Sequence, residues 1–296
     1  MMGRILGVIG DPIEHSLSPK LHNWVLQQLE LNEDYEYRPF RVSSTALAAF
    51  LQEVREKELH GLNVTIPHKE SIIPLLDEID PMADRLGAVN TIVRIDNKLK
   101  GYNTDGLGFL RAACTNKISL KNARVVMLGA GGSAKAVAFA LTGAGIAQLS
   151  LYNRSPDRAI ELRAQLLSKT NFSAIDVHRL SDRECLCADL SQATLLINTT
   201  PIGMFPHADK SPLPLPEALH EGLTVYDLVY NPSETSLMRE AHHRGARVFN
   251  GLDMLIYQGL ESLRLWLGEN DLSKIERKIS LPELREVLYE VLGVAV

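Results

Sequence analysis

Apolar runs of strand length alternate along this chain with stretches whose apolar residues recur every three or four positions. These two periods separate buried strands from amphipathic helices. In the first third the runs are residues 5–9, 36–42 and 59–64, and the helical patterns are residues 19–30 and 45–56. Such alternation predicts a mainly parallel sheet covered by helices. Residues 88–95 and 98–102 then flank Asp96 and Asn97, a polar pair suited to a hairpin turn. A helix over residues 106–114 leads to further strands at 124–128, 148–152, 174–178, 194–198, 224–228 and 247–249, with helical segments between them. This second alternation predicts a doubly wound, Rossmann-type α/β sheet. Two last helical patterns, 252–267 and 281–292, are expected to pack back on the first domain, and the domains themselves are expected at 1–105, 106–250 and 251–296.

The most informative junction is Val125-Val126-Met127-Leu128-Gly129-Ala130-Gly131-Gly132-Ser133-Ala134, a buried strand turning through glycines into a helix over residues 133–141. That is how a chain presents backbone N–H groups to a dinucleotide pyrophosphate. Gly129 permits the tight turn, Gly131 lets phosphates approach the main chain, and Ala134 keeps the helix close to the sheet. Taken alone, the pattern fits an ordinary strand-turn-helix equally well. The next strand, however, ends in Asn153-Arg154-Ser155-Pro156-Asp157-Arg158. At that tip an acidic residue marks NAD, whereas an arginine accommodates the extra phosphate of NADP. Arg154 and Arg158 offer planar forks to a phosphate, with Asn153 and Ser155 as neutral donors. The competing reading makes Arg158 a solvated helix residue and Ser155 only an N-cap before proline. The arginines at the tip favour NADP.

Composition narrows the class. The chain has 296 residues, 45% hydrophobic and 23% charged, enough for two ordinary domains. A net charge of -5 and a pI near 6.0 argue against a nucleic-acid-binding surface. The apolar run at 5–9 is too short for a signal peptide or a membrane span, so a cytoplasmic location is expected. Cys114, Cys185 and Cys187 form no C-x-x-C pair and read as packing or surface thiols. His242-His243 reads as part of a solvated helix, and no metal is expected because ligand spacing is missing. The proline-rich stretch 201–216 leaves the end of a strand and fits either a lid over a cofactor or an irregular loop.

Polar groups at strand ends are the candidates for chemistry. Gly10-Asp11-Pro12-Ile13-Glu14-His15-Ser16-Leu17-Ser18-Pro19 follows the first strand, and Ser16 and Ser18 project to one side beside a helix amino terminus, a place suited to a carboxylate. Ser18 before Pro19 equally reads as an N-cap, and on the residues alone capping is favoured. Asn63-Val64-Thr65-Ile66-Pro67-His68-Lys69 ends the third strand, where an α/β sheet presents functional groups. Lys69 is a candidate acid-base group there, or else a solvated charge. Asn90 and Asp105 also fit turns and caps. Together these residues supply an amine, an amide and a carboxylate, a set able to bind hydroxyls and move one proton.

The segments G-D-P-I-E-H-S-L-S-P, N-V-T-I-P-H-K, G-A-V-N-T, N-T-D-G, G-A-G-G-S-A, N-R-S-P-D-R, Y-D-L-V-Y-N-P and G-L-D-M-L-I-Y-Q occur in this order, and through them the chain resembles the shikimate dehydrogenase family over nearly its whole length. The resemblance implies a substrate-binding N-terminal domain, a Rossmann-type NADP-binding domain and an active site in the cleft between them. It implies an oxidoreductase that reversibly reduces 3-dehydroshikimate to shikimate with NADPH, a step toward chorismate and the aromatic amino acids. By the family's pattern Lys69 and Asp105 form the catalytic pair. Ser16, Ser18 and Tyr230 surround the substrate carboxylate, and Thr65, Asn90 and Gln258 its hydroxyl-bearing face. Gly129, Ala130, Gly131, Gly132 and Ser133, with Asn153, Arg154, Ser155 and Arg158, carry the cofactor, while Leu228 and Gly251 line its nicotinamide end. Ser133, Ser155 and Asn198-Thr199-Thr200-Pro201 depart from the family's usual Ala, Thr and Asn-Ala-Thr-Pro. A quinate/shikimate dehydrogenase of broader substrate use and a non-catalytic NADP-binding sensor are the alternatives. Small molecules are the expected partners, with no nucleic acid and no membrane, and a monomer and a homodimer are both compatible with the family.

Overall fold

Leu6, Val8 and Ile9 of β1 (Arg4–Gly10) are at most 2% exposed, so this strand is apolar toward both faces and belongs inside a sheet. In the computed structural model, which describes residues 4–57, 59–205 and 207–294, it lies there. α1 (Ser18–Gln28) carries the chain from β1 to β2 (Tyr35–Arg41), which pairs with β1 in parallel. β2 alternates buried and exposed residues at its start and contains Pro39, which lacks an N–H to donate; both features suit its place at the sheet edge. α2 (Leu47–Glu56) buries Leu47, Leu51 and Val54 against Ile9, Leu62 and Val64, and leads to β3 (Gly61–Val64) on the other side of β1.

The chain then passes through α3 (His68–Ser71), β4 (Glu78–Ile79), α4 (Pro81–Leu86), β5 (Thr91–Ile95) and β6 (Lys98–Tyr102). The sheet order is β2-β1-β3-β5-β6-β4, and β5 runs antiparallel to both of its neighbours. Asp96 turns the β5–β6 hairpin with a left-handed φ of 54°, a conformation its short polar side chain tolerates. The hydrophobic pattern assigns no element to residues 65–87, whereas the structure places two short α-helices, a 3-10 turn at Ile73–Leu75 and a two-residue strand there. α4 carries full boundary signals: Asp80 accepts from the Met82 amide at 2.9 Å, Pro81 opens the helix, and Gly87 closes it at φ 63°. Its six residues are too few for a helical period to emerge.

α5 (Asp105–Thr115) precedes a second sheet built from β7 (Arg124–Leu128), β8 (Gln148–Asn153), β9 (Ile175–Arg179), β10 (Leu195–Asn198), β11 (Thr224–Asp227) and β12 (Arg247–Phe249). Every pairing is parallel, in the order β12-β11-β10-β7-β8-β9. α6 (Gly132–Gly143) joins β7 to β8, α7 (Pro156–Lys169) joins β8 to β9, α8 (Arg183–Gln192) joins β9 to β10 and α9 (Ser236–His243) joins β11 to β12. This is the doubly wound arrangement expected from the sequence, and the direction of winding reverses between β7 and β10. Val126, Leu128, Leu196 and Val225 form its core with Leu186, Leu190 and Leu237 of the covering helices. His242 and His243 are exposed at the end of α9.

By its contacts the chain divides into two units. One holds the described residues up to Gly108 together with those from Leu255 onward, and the other is Phe109–Met254. α10 (Leu252–Trp266), α11 (Ser273–Glu276) and α12 (Leu281–Val291) close the chain. Trp266 shows why the C-terminal segment belongs with the first sheet. Its indole Nε1 donates to the Ile92 carbonyl at 2.8 Å, its own carbonyl meets His60 Nε2 at 3.0 Å, and it is 3% exposed. Gly61 makes room for the ring, because a Cβ at that position would overlap the indole. Gly61→Ala should therefore cost about 1–3 kcal/mol through overpacking. Urea unfolding should show a lower midpoint at unchanged slope, and an unaltered midpoint would contradict the tight fit of indole on β3.

Candidate active site

The first unit gathers its polar groups at the carboxyl ends of β1 and β3. Lys69 lies in the first turn of α3, where the Val89 amide donates to its carbonyl at 2.8 Å and ties this turn to the approach to β5. Lys69 Nζ donates to Asp105 Oδ2 at 2.6 Å, with the two side chains 12% and 6% exposed. The other carboxylate oxygen, Oδ1, accepts from Asn90 Nδ2 at 2.8 Å. Asn90 is held in turn. Its Oδ1 accepts from the Thr104 amide at 2.8 Å and the Thr91 hydroxyl at 2.9 Å, and its Nδ2 also lies 3.2 Å from Gln258 Oε1. Thr104 Oγ1 donates to the Gln258 carbonyl at 3.0 Å, so α10 is pinned to the same cluster. Lys69, Asp105, Asn90 and Gln258, four residues singled out in the sequence, thus meet in one hydrogen-bonded group.

Removing an ion pair from water costs about as much as the pair returns, so a sheltered pair is a weak source of stability. What this pair supplies is a positioned amine beside a carboxylate whose two oxygens are both fixed.

Ser16 and Thr65 lie on adjoining loops, which are joined by the Asp11 amide donating to the Ile66 carbonyl at 3.0 Å. Here one expectation is corrected. Ser18 is not the cap of α1 but its first residue; Leu17 occupies the cap position and makes no side-chain cap bond. The Ser16 hydroxyl accepts from the Ser18 amide at 3.3 Å instead, because the turn before the helix brings it back over the first N–H. The Ser18 side chain is buried without serving as a cap. Tyr230 belongs to the other unit, half-buried beyond β11.

In the second unit the Gly129–Ala134 turn leaves β7 at the winding reversal. Gly129 adopts φ +108°, and a Cβ there would overlap Thr199 Oγ1, so this position demands glycine. Gly131 is the N-cap of α6 and supplies no side-chain cap, and a Cβ on it would meet nothing within 4 Å. A helix start whose cap residue has no side chain, with open space beside it, is a fitting seat for a pyrophosphate. Ala134 is fully buried against the sheet. At the tip of β8, Arg154, Ser155 and Arg158 are exposed, and Asn153 Nδ2 donates to the Ser155 carbonyl at 2.7 Å, shaping the turn. Ser155 stands at the N-cap of α7 yet makes no side-chain cap bond, against the reading of it as a cap alone. Further along the sheet, a Cβ on Gly251 would overlap the Leu228 carbonyl, so these two residues are in direct contact. The stretch after β10 is anchored by the Phe205 amide donating to Asn231 O at 3.2 Å, with Met204 and Phe205 exposed; Pro206, within the proline-rich stretch, lies outside the described residues.

Comparison with known proteins agrees with both halves. The chain matches the family model of the shikimate dehydrogenase substrate binding domain over residues 8–92 and that of shikimate / quinate 5-dehydrogenase over residues 112–200. It is 45% identical to the shikimate dehydrogenase (NADP(+)) of Moorella thermoacetica over 98% of this chain and 94% of that one. The chain belongs to the shikimate dehydrogenase family. Among solved members, the Thermus thermophilus enzyme in complex with NADP(H) and shikimate superposes with a TM-score of 0.79 at 36% identity, covering 96% of this chain and 99% of that one. The Listeria monocytogenes enzyme in complex with shikimate and NAD gives 0.80 at 33% identity, covering 93% and 96%.

Sequence reasoning missed one group in this shikimate dehydrogenase family member. Asn198 and Asp227 end the neighbouring strands β10 and β11 and are fully buried. Asp227 Oδ1 accepts from Asn198 Nδ2 at 2.8 Å and from the Val229 amide at 3.0 Å, and Oδ2 accepts from Thr235 Oγ1 at 2.8 Å. The carboxylate therefore fixes the backbone on either side of Leu228. The available signal was a polar residue closing each of two otherwise apolar parallel strands. Burial raises the Asp227 carboxyl to about 6, against the lowering effect of its three donors. Because the folded state holds this proton more tightly than the unfolded chain does, the associated stability is present below about pH 4 and is lost as pH rises through about 6. The stability of the native protein relative to Asp227→Asn should thus fall by up to about 3 kcal/mol between about pH 4 and pH 7. Chemical denaturation at several pH values measures it, and parallel pH profiles for the two proteins would contradict it.

Proposed function

We propose that this protein catalyses the reversible, NADP-dependent interconversion of 3-dehydroshikimate and shikimate, with Lys69 and Asp105 as the catalytic pair. The observation that carries this reading is the 2.6 Å contact between Lys69 Nζ and Asp105 Oδ2 in a chain 45% identical to a shikimate dehydrogenase. A reduced dinucleotide, when bound, would supply the hydride that the ketone carbon takes up. As the carbonyl oxygen gains negative charge, Lys69 gives it a proton from Nζ; in the oxidation Lys69 takes the hydroxyl proton back. Asp105 holds the ammonium through Oδ2, and Asn90, bonded to Oδ1, keeps the carboxylate from turning away.

In the same reading Thr65, Asn90 and Gln258 bind the hydroxyl-bearing face of the substrate, and Ser16, Ser18 and Tyr230 receive its carboxylate. Residues 1–105 form the substrate domain and residues 106–250 the dinucleotide domain, with Gln258 contributed by the helices of residues 251–296. The turn of Gly129, Ala130, Gly131, Gly132 and Ser133 seats the pyrophosphate, with the Gly129 amide itself tied to the Tyr152 carbonyl at 2.8 Å. Asn153, Arg154, Ser155 and Arg158 surround the phosphate that distinguishes NADP from NAD, and Leu228 and Gly251 border the nicotinamide. Among the described residues no helix is long and apolar enough to cross a membrane. A cytoplasmic location and small-molecule partners complete the proposal, as a monomer or a homodimer.

Mixing the protein with shikimate and NADP+ should raise absorbance at the reduced-nicotinamide band, with quinate oxidised more slowly; no rise with shikimate would overturn the assignment. Lys69→Ala should lower kcat roughly 10²- to 10⁴-fold, the range of a general acid-base group, while shikimate affinity measured calorimetrically changes little. Normal turnover would remove Lys69 from its role. Arg154→Ala and Arg158→Ala should weaken NADP far more than NAD, since only NADP carries the additional phosphate. Equal losses for the two dinucleotides in fluorescence titrations would reject that contact.

A further inference from the structure

His178, Asp182 and Cys185 come together where β9 passes into α8, and one donor atom from each lies within 4.8 Å of the others. The junction is well determined by its backbone. The Leu180 amide donates to the Asn153 carbonyl at 3.1 Å, the Asp182 amide to the Arg179 carbonyl at 3.0 Å, and the Leu186 amide to the Asp182 carbonyl at 3.1 Å. Asp182 is the N-cap of α8 and accepts from the Cys185 amide at 3.2 Å, which brings its carboxylate beside the thiol. The imidazole is also held in place. It stacks on Tyr152 with ring centroids 5.1 Å apart and planes inclined by 23°, while the Tyr152 hydroxyl donates to Asp189 Oδ2 at 2.7 Å. That same oxygen lies 3.9 Å from His178 Nε2. A carboxylate behind a ligating imidazole sets its orientation and raises its basicity in metal sites.

We propose that His178, Asp182 and Cys185 form a zinc site at the β9–α8 junction, with Asp189 as the outer carboxylate that orients His178. One nitrogen, one carboxylate oxygen and one sulfur make a donor set of borderline softness, which suits zinc and leaves a fourth tetrahedral position for water. Metal–ligand bonds of about 2.0–2.3 Å bring ligand atoms to roughly 3.5 Å from one another, so side-chain rotations of about 1 Å close the site. The local field favours a cation. The Asp182 side chain accepts from the Cys185 amide and Asp189 Oδ2 lies 3.9 Å from His178 Nε2, so two carboxylates border the donor atoms. Negative charge beside the donor atoms favours a divalent ion at this place. The site would staple a strand to the following helix, far in sequence from the catalytic pair.

The test uses untagged full-length protein freed of metal by chelation and titrated with cobalt(II) chloride, then with zinc chloride in competition. Wild type and Cys187→Ser should both develop a near-ultraviolet sulfur-to-cobalt charge-transfer band that zinc abolishes, and Cys185→Ser should not. His178→Ala should weaken zinc by more than the about 10- to 100-fold that losing an outer partner costs, and Asp189→Asn should fall within that range. Zinc should also raise the thermal midpoint of wild type but not of Cys185→Ser. No band in wild type, or a band that survives Cys185→Ser, overturns the proposal.

Discussion

An amine and a carboxylate 2.6 Å apart, each with little of its side chain in water, demand that their surroundings replace the solvent they have lost. In the first unit that replacement is made by Asn90, which the Thr104 amide and the Thr91 hydroxyl orient from one side and the Asp105 carboxylate from the other. Deeper in the same unit Asn63 donates toward the Thr91 and Ser262 hydroxyls, at 3.3 and 3.0 Å, and accepts from Tyr37 at 2.7 Å. The sheet, α5 and α10 are thus connected through polar groups to the Lys69–Asp105 pair. Trp266, sealing α10 against β3 and β5, keeps this arrangement from being a loose surface cluster.

The same logic of strand ends governs the second unit. Parallel strands of one sheet deliver all their carboxyl ends to one side, and the reversal between β7 and β10 leaves room there for a ligand. Position 129 takes glycine because its backbone is left-handed and Thr199 occupies the place of a side chain, and Gly251 is bare because the Leu228 carbonyl lies against it. Asp227 fixes the turn that holds Leu228. Each close approach explains a residue type that composition alone leaves arbitrary.

Much of this was legible from the sequence. The strands of the second sheet were placed within a residue or two of their observed ends because parallel strands buried on both faces read as continuous apolar runs. The β5–β6 hairpin followed from Asp96 and Asn97. Residues 65–87 were not legible, since α3, β4 and α4 are shorter than the periods that reveal such elements, although Asp80, Pro81 and Gly87 mark the bounds of α4. Ser18 looked like a cap because Pro19 follows it, but the preceding turn hands that task to Ser16. Asp227 escaped notice because its partners, Asn198 and Thr235, lie on a neighbouring strand and beyond a loop. His178, Asp182 and Cys185 escaped for a similar reason: their spacing matches no familiar ligand motif, and only the strand-to-helix junction brings them together.

The central claim is that Lys69 Nζ exchanges a proton with the hydroxyl oxygen that becomes the ketone. A crystal structure of this protein with shikimate and NADP+ measures it most directly. In that complex the reacting hydroxyl should lie within about 3.2 Å of Lys69 Nζ, the reach required of a general acid or base, with Asp105 still bound to the amine. A complex in which that hydroxyl meets neither side chain, while Lys69 points to solvent, would contradict it.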